Sequence, residues 1–148
     1  MELEYSSLNE VLVKLFNEIM EEEGKAIISG EFKDLTNNDM HVIEAIGLSE
    51  QKNMTSIASH LGITVGSLTT AMNSLVNKKY VERFRSEKDR RVVFVKLTES
   101  GMRAFHHHEE YHHQMTEAIL KRLTPEEMPV LMKLLESLNE FFKERKGK

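Results

Sequence analysis

Thr64-Val65-Gly66-Ser67-Leu68-Thr69-Thr70-Ala71-Met72-Asn73 combines small hydroxyl residues, a glycine and two apolar residues four apart. On a helix, Leu68 and Met72 share one face and turn inward. Val65, Gly66, Ser67, Thr69, Thr70 and Asn73 then fall on the outward faces near the N-terminus. Hydroxyls there can donate to phosphates or accept from bases, Val65 can pack on a thymine methyl, and Gly66 permits close backbone approach. The same residues would also serve as an ordinary solvent-facing helix surface. A second chemical group follows in Ser86-Glu87-Lys88-Asp89-Arg90-Arg91, preceded by Arg83 and Arg85. Arginines such as Arg90 and Arg91 on a tight turn can enter a minor groove, whose negative potential attracts them. Asp89 is a poor DNA ligand, but it can orient a neighbouring arginine by a charge-assisted hydrogen bond.

The charge distribution supports this reading. The 148-residue chain carries a net charge of −4. Thr64–Arg103 nevertheless holds nine Lys/Arg against four acids, a local +5, while residues 1–63 sum to −8 and residues 104–148 to −1. A basic segment in an acidic chain is where a DNA phosphate backbone would sit.

Five histidines crowd one stretch: His106, His107, His108, His112 and His113. His108 and His112 are four apart on one helical face, a spacing able to hold a metal, and His41 lies upstream. The alternative is a solvated, partly interfacial face with no ligand. The chain has no cysteine, which excludes disulfides, thiol catalysis and thiolate metal ligands. No Ser-His-Asp order, glycine-rich phosphate loop or paired catalytic carboxylates stands out, so an enzyme is not expected. The start, Met1-Glu2-Leu3-Glu4, lacks the features of a signal peptide, and no run of 18 apolar residues occurs. A cytoplasmic bacterial protein is expected.

The elements that must position these residues are mostly helical, since only two prolines and seven glycines interrupt the chain. Leu8, Val11, Leu12, Leu15, Phe16, Ile19 and Met20 predict a long first helix over about 3–28. A second helix, capped by Thr36 or Asn37, follows with Met40, Val42, Ile43 and Ile46 inward. Residues 49–53 read as a loop. Asn53 caps a short helix to Leu61, Gly62 ends it, and Thr64 caps the next. Tyr80–Arg85 and Val92–Leu97 read as two strands of a hairpin. Thr98 opens a long helix to about Arg122. Thr124-Pro125-Glu126-Glu127 predicts the start of a last helix carrying Met128, Leu131, Leu134, Leu135 and Leu138. The expected fold is mainly α with a small β-hairpin wing: a winged helix-turn-helix over about 37–98 in a single domain, 1–148. The helices over about 3–28, 99–122 and 125–144 carry more apolar surface than one small lobe can cover. Dimerisation through the N- and C-terminal helices is the expected remedy, and it suits a palindromic site.

Gly62-Ile63-Thr64-Val65-Gly66-Ser67-Leu68-Thr69-Thr70, Leu75, Tyr80-Val81-Glu82-Arg83, Asp89-Arg90-Arg91 and Leu97-Thr98-Glu99-Ser100-Gly101 resemble the MarR family of bacterial repressors. The similarity spans nearly the whole chain. It implies a dimeric winged helix with Arg91 in the minor groove. Phe32-Lys33-Asp34, Met40-His41-Val42-Ile43, residues 65–70 and residues 83–93 are most similar to the repressors of fatty-acid synthesis (FabT-type) within it. That subgroup implies long-chain acyl groups on acyl carrier protein as corepressor, with no other cofactor.

The resemblance further implies an acyl tunnel in the helical lobe, here Phe16, Met20, Met40, His41, Ile43, Met102, Phe105 and Met115. Nine methionines suit an adaptable pocket, although they serve equally as core filler. Zinc-responsive MarR repressors use positions like His41, His108 and His112, so zinc sensing is the alternative, or else control by another small ligand. Those repressors also use a cysteine, which this chain lacks.

Overall fold

The computed structural model describes residues 2–27, 30–48 and 52–147. The expected end of the first helix at Ile28-Ser29 and most of the 49–53 loop lie outside them.

The element order is α1 (Glu2–Ile27), a 3-10 turn (Gly30–Phe32), α2 (Asn37–Ile46), β1 (Lys52–Asn53), α3 (Met54–Leu61), α4 (Val65–Asn77), β2 (Val81–Arg85), β3 (Val93–Leu97), α5 (Glu99–Leu120) and α6 (Met128–Lys146). The chain divides within α5 into a unit ending at Glu109 and a second starting at Glu110.

In the first unit, the local signals act as their chemistry requires. Thr36 and Asp39 form a capping box on α2. The Asn53 and Thr64 side chains accept from the third backbone N–H of α3 and α4. Gly62 ends α3 in the left-handed conformation at φ 68°. β3 lies between β1 and β2, antiparallel to both. Lys52-Asn53, expected as loop, is thus an edge strand paired with Val95 and Phe94. Two residues are too short for a period-2 pattern, so only the partner strand reveals them.

Ile43, Ile46, Ile57, Leu68, Met72, Leu75 and Val95 fill the core that α2, α3, α4 and the sheet share. The joint between β2, β3 and α5 is tight. Thr98 donates its backbone N–H to the Tyr80 carbonyl at 3.0 Å and its hydroxyl to the Lys79 carbonyl at 2.7 Å. A Cβ on Gly101 would lie 2.1 Å from the Tyr80 carbonyl oxygen, so only glycine fits. Asp39, buried at the start of α2, accepts from Lys78 Nζ at 2.9 Å and so holds the far end of α4.

The apolar stripe of α1 is not covered: Leu8, Val11, Leu15, Phe16 and Met20 are exposed. In the second unit α6 has no buried residue, and Leu134, Leu135, Phe141 and Phe142 are exposed. α6 starts at Met128 rather than at Thr124-Pro125. The Glu127 N–H donates to the Thr124 carbonyl at 3.1 Å and closes a separate turn before the helix begins, while the Glu127 carboxylate accepts the Thr124 N–H at 3.0 Å. Pro129 is the proline of the first helical turn. No helix among the described residues is long and apolar enough to cross a membrane.

Candidate nucleic-acid interface

α4 is oriented by its buried side. Leu68, Met72 and Leu75 are in the core, which leaves Val65, Gly66, Ser67, Thr69, Thr70 and Asn73 exposed as the spacing requires. The hydroxyls are held against their own helix. Thr64 Oγ1 accepts from the Ser67 N–H at 3.0 Å and donates to Ser67 Oγ at 3.0 Å. Thr69 donates to the Val65 carbonyl at 2.8 Å, and Thr70 to that of Gly66 at 3.4 Å. Each hydroxyl oxygen keeps acceptor capacity for an outside donor. Among the described residues a Cβ on Gly66 would meet only Thr64 Oγ1, at 3.9 Å, so none of them demands glycine there.

The wing is a braced turn. Ser86 N–H donates to the Val92 carbonyl at 2.9 Å, and Ser86 Oγ accepts from the N–H groups of Lys88 and Asp89. Asp89 accepts from Arg91 three times, from the backbone N–H at 3.0 Å, Nε at 3.1 Å and Nη2 at 3.2 Å. The Arg91 side chain, first, and its backbone N–H, second, hold the Asp89 carboxyl below the usual carboxylate range. The Arg91 side chain is still 92 % exposed. Asp89 therefore aims Arg91 without covering it. Arg85 donates to the Arg90 carbonyl at 3.2 Å and stiffens the same tip. Arg90 is exposed.

A groove of about 380 Å³ runs between α4 and the wing, lined by Val65, Thr69, Arg83, Arg91, Val92 and Val93 on those elements. Asn53, Met54 and Thr55 complete it from the start of α3. These three were not among the expected site residues. Their sequence signal was a helix cap, and only packing of α3 beside α4 turns that cap toward the groove.

The expected lipid residues differ in burial. Met40 and Ile43 are packed into the core, whereas Phe16, Met20 and Met102 are exposed. Phe105 packs against the core's edge, and Met115 belongs to the second unit. His41 is exposed on α2.

His108 is the exception among the histidines. It is 2 % exposed, with Nε2 2.9 Å from Glu44 Oε1 on α2 and 3.3 Å from Glu23 Oε1 on α1. The hydrogen bond to Glu44 raises its pKa most, ahead of the opposing effect of burial, and the charges of Glu44 and Glu23 add to the rise. One ring thus ties three helices together. His112 is half-buried one turn further along α5.

Residues 25–108 match the family model described as transcriptional regulator SarA/Rot. The chain is 27% identical over 133 residues to YpoP of Bacillus subtilis, described as an uncharacterized HTH-type transcriptional regulator. That match covers 88% of this chain and 89% of YpoP. FabT of Streptococcus pneumoniae, solved in complex with DNA, superposes with a TM-score of 0.88 at 35% identity, over 95% of this chain and 98% of FabT. YusO of Bacillus subtilis shares the fold at a TM-score of 0.72 and 22% identity, over 94% of this chain and 96% of YusO.

Proposed function

The chain belongs to the winged helix-turn-helix transcription regulators of MarR/SarA type, DNA-binding proteins rather than enzymes, and from that premise we propose that it represses fatty-acid synthesis genes. In this reading a homodimer binds a palindromic operator, and long-chain acyl groups on acyl carrier protein strengthen the binding. The observation that carries it is the similarity to FabT over almost the full length of both chains.

The exposed stripes of α1 and α6 support the dimer, because apolar faces of this length need a partner surface. Two copies of α4 about one helical turn of DNA apart (~34 Å) would then read the two half-sites. The acyl chain would lie against apolar side chains such as Phe16, Met20, Met102 and Phe105. It can raise DNA affinity only by as much as it prefers the DNA-competent spacing, typically ~1–3 kcal/mol of coupling.

The test is a gel shift on a fatty-acid-synthesis promoter fragment, with and without long-chain acyl carrier protein. Roughly five-fold or greater tightening is expected. Equal affinity with acylated and unacylated carrier would defeat the corepressor reading while leaving DNA binding in place.

A zinc-responsive reading attaches to His108, favoured by its burial beside Glu23 and Glu44. Those two distances suit an Nε2–H donating to carboxylates, which in a neutral ring leaves Nδ1 bare as the nitrogen that zinc would take. A chelator arm in the same experiment separates the readings. Binding lost with chelator and restored by zinc would favour metal control.

A further inference from the structure

Asn73 and Arg83 are both exposed, on different elements, yet they are joined: Arg83 Nη1 donates to Asn73 Oδ1 at 2.5 Å. A guanidinium has no acceptor, so the Asn73 oxygen must face it and the amide NH2 must point away. With Oδ1 accepting from Arg83, the outward edge of Asn73 offers its N–H donors and at most one remaining lone pair. The remaining N–H groups of Arg83, which lines the groove beside α4, are donors as well. The pair therefore presents donors and one positive charge, spanning the recognition helix and the wing strand.

We propose that Asn73 and Arg83 act as one donor clamp for a DNA phosphate, and that Asn73 does not read a base. Asparagine reads adenine by accepting from N6 and donating to N7, and Arg83 competes with N6 for that oxygen. A phosphate oxygen only accepts, which matches an edge dominated by donors. The clamp rests on the DNA-binding reading and assigns these two residues a shared, sequence-independent part in it. It also gives Asn73 a positioning role, because the amide holds Arg83 against the helix.

The experiment compares the full-length dimer with its Asn73→Ala, Arg83→Ala and double variants on two duplexes. One is the tightest duplex recovered from a random-sequence pool; the other is unselected. Affinity is measured across a salt series. Each single variant weakens binding to both duplexes by the same factor. Arg83→Ala lowers the salt slope by about 0.9 per phosphate, or about two per dimer. The double variant loses less than the product of the two single losses, because the two residues form one unit. Asn73→Asp binds more weakly than Asn73→Ala, since a carboxylate faces the phosphate. The proposal is overturned if Asn73→Ala changes the preferred bases at one position of the selected duplex. Losses that multiply, or an unchanged salt slope in Arg83→Ala, also overturn it. If the parent protein binds neither duplex, the DNA-binding reading itself fails, a result distinct from all of these.

Discussion

The recognition face and the joint behind it each carry a glycine near the start of a helix, and the two glycines have opposite reasons to be there. At Gly101 a methyl group would collide with the Tyr80 carbonyl at 2.1 Å, so the protein itself requires the small residue. At Gly66 a methyl would project into open space, with its nearest neighbour 3.9 Å away. No described residue accounts for smallness at Gly66, and the open space there leaves room for a partner's close approach. Threonines diverge likewise. Thr98 spends its hydroxyl on a carbonyl of another segment, Lys79, and so locks two elements together. Thr69 and Thr70 spend theirs on their own helix and leave the outward lone pairs available. Residues whose bonds run between elements hold the fold, and residues satisfied locally on an exposed face are free to serve a partner.

The sharpest way to break this contrast is at the joint. Gly101→Ala should destabilise the protein by about 3 kcal/mol or more, because the clash is with backbone and not with a side chain that can turn away. Urea unfolding would show it as a lower midpoint. A midpoint equal to the parent's would mean the joint is not close-packed.

Next in size is the wing. Arg91→Ala should leave unfolding unchanged and cost about 1–3 kcal/mol of DNA affinity per half-site, read by gel shift. Retained affinity would remove Arg91 from the interface.

A third test uses pH on the helices that meet at His108. Its folded-state pKa is raised, so its bonds to Glu44 and Glu23 contribute fully below the ordinary value of 6.5 and fade as pH rises through the raised value. Thermal unfolding of the parent should therefore lose stability on going alkaline, relative to a Glu44→Gln variant measured at each pH. Parallel curves for the two proteins would show that the contact carries no proton-linked stability.

The smallest effect is the most pointed. Gly66→Ala should raise folding stability by up to about 0.5 kcal/mol, since alanine is the better helix former. The same change should weaken DNA binding. A variant that is both more stable and an equally good binder would show that nothing approaches α4 closely at that position.

Much of the recognition face was legible because its signals are local. Thr64 as a cap, Leu68 and Met72 inward, Gly62 left-handed and Asp89 beside Arg91 all act within a few residues of chain. One local signal misled: Thr124-Pro125-Glu126-Glu127 has the composition of a helix start, but its bonds close a turn and α6 begins at Met128. The pairs that cross the chain could not be foreseen from spacing. Arg83 with Asn73, Lys78 with Asp39 and His108 with Glu23 and Glu44 join elements whose relative placement is set by core packing. The expected lipid residues show the same limit, since periodicity placed Met40 and Phe16 alike on apolar faces and only packing buried one and exposed the other.

By itself the amino-acid sequence determined the helices, their caps, the hairpin and the basic segment, because hydrophobic period, capping chemistry and charge are properties of neighbouring residues. Only the tertiary structure decided that Gly101 has no room for a methyl, that Asn73 turns its oxygen to Arg83, and that His108 is enclosed by two carboxylates. Those facts depend on distances between segments far apart in the chain, and it is the packed core that sets them.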